Sequence, residues 1–200
     1  PALVKRGYAY IIVDLRGTGA AEGSWQAFSQ IDQDDIGELL EYIKVQPWSN
    51  GSIGMNGASY MGITGLLAGA QEDPAVKAIF AIVPMGDAYR DIVFTGGQIN
   101  AGFIPLWVTL VTGLGIIPTP AGLDNGEPGY YLTTLLQHLQ GALTEFQVPV
   151  VAGALIGDEN KYDTEFWRIR SPLEQIDKIT APTFVVGGLN DIFQRGEPLI

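Results

Sequence analysis

Gly57-Ala58-Ser59-Tyr60-Met61-Gly62 sets a serine hydroxyl between glycines, after the apolar run at 52–56 and ahead of the helix-forming run at 61–70. A strand that turns directly into a helix at a serine has the form of a nucleophile elbow, which lifts the hydroxyl to the top of a sheet. The turn brings strand and helix so close that the flanking residues must be almost without side chains. Gly57 and Gly62 provide that clearance. A plainer reading fits the same residues: Ser59 could cap the helix by accepting a hydrogen bond from a first-turn N–H.

Outward from this turn, strands alternate with helices. Residues 8–15 form an apolar run ending at Asp14 and Arg16, the pattern of a strand buried on both faces of a parallel sheet. Residues 32–45 place Ile36, Leu39, Leu40 and Ile43 on a helical stripe, with acidic residues at the N-terminal end that suit the helix dipole. Strands are expected at 52–56 and 76–83, and again at 183–187, entered through Pro182. Repeated strand and helix units predict an α/β fold with an open, mostly parallel sheet and an active site at the carboxyl ends of the strands.

Composition narrows the function classes. Hydrophobic residues at 46% and charged residues at 16% over 200 positions are enough for one sizeable core and argue against disorder. A net charge of −11, with only 11 Lys and Arg scattered along the chain, disfavours nucleic acid as a partner. With 0 Cys there is neither a disulfide nor thiolate chemistry, and the compartment stays open. The chain opens at Pro1 without an initiator Met, so any targeting segment is expected outside these residues.

Residues 92–123 contain no charged side chain. Their densest part, 101–117, would cover about 25 Å at ~1.5 Å per residue, short of a ~30 Å hydrocarbon core. Pro105, Gly113 and Gly115 also interrupt it, so no membrane span is expected. The segment reads instead as a helical cap, inserted between the third and fourth strands, whose apolar face closes over the active site.

Gly7-Tyr8, Asp14-Leu15-Arg16-Gly17-Thr18-Gly19, Glu22-Gly23, Asp35, Gln46-Pro47-Trp48-Ser49, Gly51, Ile53-Gly54-Met55 and the Ser59 turn together resemble the cocaine esterase and X-Pro dipeptidyl-peptidase family of α/β-hydrolases. The resemblance resumes at Phe166-Trp167, Ser171-Pro172, and Ala181-Pro182 through Gly187-Gly188 to Asp191-Ile192-Phe193, and is weak over roughly 95–165. Most hydrolases of this fold have glycine two places after the serine. Met61 holds that place here and Gly62 follows, a spacing this family tolerates. The resemblance implies an α/β-hydrolase core at 1–94, a helical cap at 95–170 and the core continued at 171–200. It implies no cofactor and no metal.

A serine hydrolase needs a base, an acid that orients the base, and donors for the oxyanion. Asp191 fits the acid, lying past the strand at 183–187 where the order Ser, Asp, His expects it, although turn aspartates are common there. The backbone N–H of Tyr60, next after the nucleophile, is the expected oxyanion donor. Family resemblance makes Trp107 a candidate wall of the acyl pocket, with an ordinary core Trp as the alternative.

The base is not legible. His138, the one histidine, precedes Asp191 within a presumed cap helix and reads as a polar or partly buried cap residue. The family also takes its second oxyanion donor, a tyrosine hydroxyl, from upstream of Pro1, and a sheet strand from there that would separate 8–15 from 52–56. These residues are therefore expected to be an internal portion of a longer enzyme, with the histidine supplied after Ile200.

The leading expectation is a hydrolase cleaving an ester or amide, including X-Pro peptide bonds, through an acyl-enzyme. Its substrate would be a small molecule or short peptide with a bulky apolar or aromatic rather than charged acyl group. The alternative is an inactive homologue that serves as a binding or interaction module. Other residues have plain readings. Asp14 and Arg16 form an ion pair or loop anchor; Asp34 and Asp35 point ~100° apart on a helix and do not coordinate jointly; Asp158 and Glu159 form an exposed polar loop; Trp25, Trp48 and Trp167 are packing residues.

Overall fold

A computed structural model describes residues 2–200. Helix α1 spans Gln30–Lys44 and starts at a capping box: Ser29 accepts from the Asp32 N–H while the Asp32 carboxylate accepts from the Ser29 N–H. This pairing satisfies first-turn donors and fixes the start of the helix. Strand β1 (Ile53–Ala58) passes through the Ser59 turn into α2 (Tyr60–Gly69), and the chain returns as β2 (Val76–Ile82). Strand β3 (Thr183–Val186) completes a parallel sheet of order β1-β2-β3. Parallel neighbours need crossovers, and α2 supplies the first by packing against both β1 and β2. Leu66, Leu67, Ile79 and Ala81 are buried at that contact and, with Leu40 and Ile43 of α1, form the centre of the core.

The crossover from β2 to β3 is long and largely helical. It carries α3 (Ile104–Ile116), α4 (Ala121–Asp124), α5 (Pro128–Thr144), α6 (Gln147–Ile156) and α7 (Glu165–Arg168). At ~1.5 Å per residue α3 is about 20 Å long, too short to cross a bilayer. The run Pro128–Ile156 is long and apolar enough by length and composition. It is broken between α5 and α6, where Phe146 leaves the helical region at φ −133° and ψ −72°.

The expected strand at 8–15 does not form. Those residues carry no ladder, and Tyr8, Tyr10, Ile11, Ile12 and Val13 are exposed, Ile12 at 81%. A strand is made by its partners, and β1 is an edge of the sheet, hydrogen-bonded to β2 only. Asp14 does anchor the following loop, accepting from the Ala20 N–H at 3.0 Å. Arg16 pairs with Asp35 of α1, its Nε at 2.8 Å from the carboxylate, and not with Asp14.

Candidate active site

Ser59 sits at the point where β1 becomes α2, with φ 53° and ψ −120°. A positive φ on a residue with a Cβ is strained by about 1–3 kcal/mol and persists only where the surroundings impose it. Two constraints do so here. The Ser59 N–H donates to the Ile82 carbonyl at 2.8 Å, tying the turn to the end of β2. The glycines admit the close approach of strand and helix: a Cβ on Gly57 would lie 2.4–2.6 Å from Met61 atoms, and one on Gly62 would lie 3.1 Å from the Gly57 carbonyl oxygen. Ser59 occupies the N-cap position of α2 but makes no side-chain capping bond, so the simple cap reading is not realised. The residue is exposed and borders a cavity.

Tyr60 is the first residue of α2, so its N–H has no intrahelical acceptor. Its ring stacks on Phe28 at 4.1 Å between centroids, and its hydroxyl accepts from Trp25 Nε1 at 2.9 Å. Burial pushes the phenol pKa up, with the negative charge of Asp32 adding to it, so the ring stays a neutral wall group.

Asp191 lies in the turn after β3. Its N–H donates to the Gly188 carbonyl at 3.0 Å, and its Oδ1 accepts from the Phe193 N–H at 2.6 Å. The sheet register aligns Ala58 with Ile82 and Ile82 with Val186, so Ser59 and the turn carrying Asp191 leave the same end of the sheet. Two strand spacings separate their strands, about 10 Å. The next residues, Ile192 and Phe193, border the same cavity as Ser59. Glu197, which carries no local mark of a site, is a largely buried carboxyl whose pKa is raised by burial and then by the charge of Asp191.

His138 is elsewhere. It is 3% exposed on α5, with Nδ1 3.2 Å from the Ile116 carbonyl and Nε2 2.7 Å from the Ala21 carbonyl. The ring lies between the end of α3 and the loop before α1, and whichever nitrogen carries the proton donates to one of these carbonyls. It does not border the cavity.

The cavity has a volume of about 340 Å³. Trp107 of α3 forms part of its wall, 5.9 Å from Trp25 between ring centroids. Trp25 and Trp167, read from the sequence as packing residues, are wall residues too, while Trp48 is 52% exposed. Phe146 meets Trp25 edge to face at 5.4 Å and stacks with Phe166 at 6.5 Å, which joins the helical side of the wall to the loop before α1. The aromatic wall was illegible because its rings come from segments far apart in the chain. Asp158 is not part of it and caps a turn, accepting from the Asn160 N–H at 2.9 Å.

The family model for the X-Pro dipeptidyl-peptidase (S15 family) matches residues 1–198. The chain belongs to this family. Among curated relatives, it is 27% identical over 202 residues to cocaine esterase from Rhodococcus sp. (strain MB1 Bresler), covering 95% of this chain and 35% of that protein. A putative serine esterase of Mycobacterium tuberculosis (strain CDC 1551 / Oshkosh) is 37% identical over 105 residues, 52% of this chain and 17% of its own length. A putative Xaa-Pro dipeptidyl-peptidase of Bacillus anthracis is 23% identical over 208 residues, 94% of this chain and 30% of that protein. The chain therefore spans between 17% and 35% of these relatives. Among solved structures, a CocE/NonD family hydrolase from Staphylococcus aureus superposes with a TM-score of 0.59 at 24% identity, over 84% of this chain and 25% of that one. An aminopeptidase from a marine sediment Thaumarchaeota archaeon gives 0.61 at 21% identity, over 93% and 33%. These likenesses establish the α/β fold of which the three-stranded sheet is a portion.

Proposed function

We propose that this S15-family chain carries the nucleophile of a serine hydrolase that cleaves ester or amide bonds, X-Pro peptide bonds included, through an acyl-enzyme. The observation that supports it most is the strained, uncapped Ser59 bordering an apolar cavity. Ser59 Oγ attacks the substrate carbonyl while an imidazole takes its proton, and the Tyr60 N–H, at the N-terminus of α2, donates to the developing oxyanion. Asp191 orients that imidazole. His138, buried between two backbone carbonyl groups and away from the cavity, is not its source, and we assign the role to a histidine outside these 200 residues. Protonation of the leaving group then releases the alcohol or amine, and water attacks the acyl-enzyme to return Ser59.

In this reading residues 95–170 act as a cap over the 1–94 and 171–200 core. Trp107 and its aromatic neighbours seat the acyl group. A wall of that composition favours a bulky apolar or aromatic acyl body in a small-molecule ester or short peptide. The test is covalent labelling of the full-length protein by a fluorophosphonate. An adduct on Ser59, absent in Ser59→Ala together with a loss of ester turnover of at least ~10³-fold, is the expected result. A full-length protein that takes no label on Ser59 is a binding module and not a hydrolase.

A further inference from the structure

The turn that carries Asp191 bonds mostly to itself. Besides the Asp191 bonds already described, the Phe193 carbonyl accepts from the Gly196 and Glu197 N–H groups at 2.9 and 3.2 Å. Among the described residues, one hydrogen bond joins 188–197 to another part of the fold: Arg195 Nη1 donates to Asp91 Oδ1 at 2.7 Å. Asp91 is held to receive it. It lies on the π-helical turn Ala88–Val93 with its side chain fully buried, and its Oδ2 accepts from the Gly86 and Asp87 N–H groups at 3.0 and 2.7 Å. Three donors fix the direction of this carboxylate, one of them a cation. Asp87 stands farther from Arg195, at 4.0 Å, and pairs with Arg90 at 2.7 Å. Gly196 closes the same contact, since a Cβ on it would overlap the Asp91 carboxylate. Phe193, buried in the cavity wall, adds apolar packing, which is not directional. The turn that holds Asp91 also supplies Ala88 and Ile92 to that wall, so one short segment supports both the cavity and the acid.

We propose that Asp91, acting through Arg195, is a positioning residue that aims the Asp191 turn, and so the carboxylate that orients the base, at the Ser59 end of the sheet. The inference rests on the acyl-transfer reading, in which Asp191 is the acid. Displacement of a group by ~1 Å costs such chemistry on the order of a hundredfold. Without Arg195 the turn keeps the packing of Phe193 but loses its directional tie, and Asp91 is left buried without its cation. Arg195 does not border the cavity, so its loss should reach turnover and not substrate binding.

The test uses the full-length protein and a nitrophenyl ester, with the rate of fluorophosphonate labelling of Ser59 as a second measure. Arg195→Met should lower kcat about 10- to 100-fold with KM changed less than about threefold, and Arg195→Lys, which keeps a cation, should retain most of kcat. Gly196→Ala displaces the turn while leaving both charges in place. It should act like Arg195→Met, and it decides if Arg195→Met does not fold. In an Asp191→Asn background Arg195→Met should change the labelling rate less than about threefold, because a residue that works through Asp191 then has nothing left to position. Hydrogen exchange at 188–196 should quicken in Arg195→Met. An unchanged kcat, a loss confined to KM, or the same loss in the Asp191→Asn background overturns the positioning role, while a labelled Ser59 leaves the hydrolase standing. A Ser59 that takes no label in the unaltered protein overturns the hydrolase and this role with it, whatever exchange at the turn shows.

Discussion

On the sheet side of the cavity Ser59 and Tyr60 are fixed by backbone: a β1–β2 ladder, an N–H bond to Ile82 and glycine clearances under 3 Å at Gly57. On the helical side Trp107, Phe146 and Val150 are placed by contacts between side chains, and α3 and α5 leave Leu106, Leu110, Leu114, Leu132, Leu136 and Leu143 exposed. Under the proposed acyl transfer, the contrast assigns different jobs. Chemistry needs groups held to a fraction of an ångström, which ladders and tight turns provide. Selectivity needs a shaped apolar surface, which interchangeable rings provide and which varies without harm to the nucleophile.

The largest effect that sharpens this contrast is expected at Gly57. Gly57→Ala drives a methyl into Met61 and should shift the elbow, costing about 1–3 kcal/mol of stability and on the order of a hundredfold in kcat. Circular dichroism melts and ester turnover of the full-length protein check it, and a fully active, equally stable variant would mean that the turn is not under constraint. Trp107→Ala should act on the other side. It is expected to lower kcat/KM for an aromatic acyl ester about tenfold more than for the acetyl ester, the worth of a lost apolar contact. Equal losses on both esters would mean that Trp107 supports the fold and not the pocket.

His138 tests whether the helical side takes any part in chemistry. His138→Gln gives up at least one bond to the Ile116 or Ala21 carbonyl and should cost about 1–3 kcal/mol in melting experiments. The change in kcat should stay below about tenfold, with the pH profile intact; a general base would cost ~10⁴-fold or more.

The smallest effect lies far from the cavity, at the Lys44–Asp73 pair, 2.8 Å apart, which ties α1 to the turn before β2. The Lys44 ammonium, aided by the Ala75 N–H, holds the Asp73 pKa below its ordinary value. An acid stabilised in this way contributes above its unfolded pKa of ~3.9 and loses that contribution as pH falls through the lower folded value. Asp73→Asn should therefore remove less than about 1 kcal/mol at pH 7 and flatten the acid limb of stability against pH. Denaturant midpoints measured across that limb check the sign.

The strands at 53–58, 76–82 and 183–186 and helices α1 and α2 were legible to within a few residues, because each is specified by local pattern: apolar runs, a capping serine, glycines at a turn. The run at 8–15 was misread for a corresponding reason. Its composition suits a buried strand, but a ladder exists only where a neighbouring strand offers its edge, and Ile12 stays 81% exposed. The site divides the same way. Ser59, Tyr60 and Asp191 follow motif and chain order, whereas Trp25, Trp167, Arg170 and Gln147 carry no local mark of the cavity they line.

By itself the sequence determined that strand and helix could meet closely around residue 59, since the spacing of Gly57 and Gly62 encodes a local steric permission. Only the tertiary structure decided what the Ser59 hydroxyl faces. The rings of Trp25, Trp107, Phe146 and Trp167 and the buried Arg170 come from segments more than a hundred residues apart at the extremes, and meet only when the long crossover packs against the loop before α1. Packing of that kind is a property of the whole surface each segment buries, and no short window of residues records it.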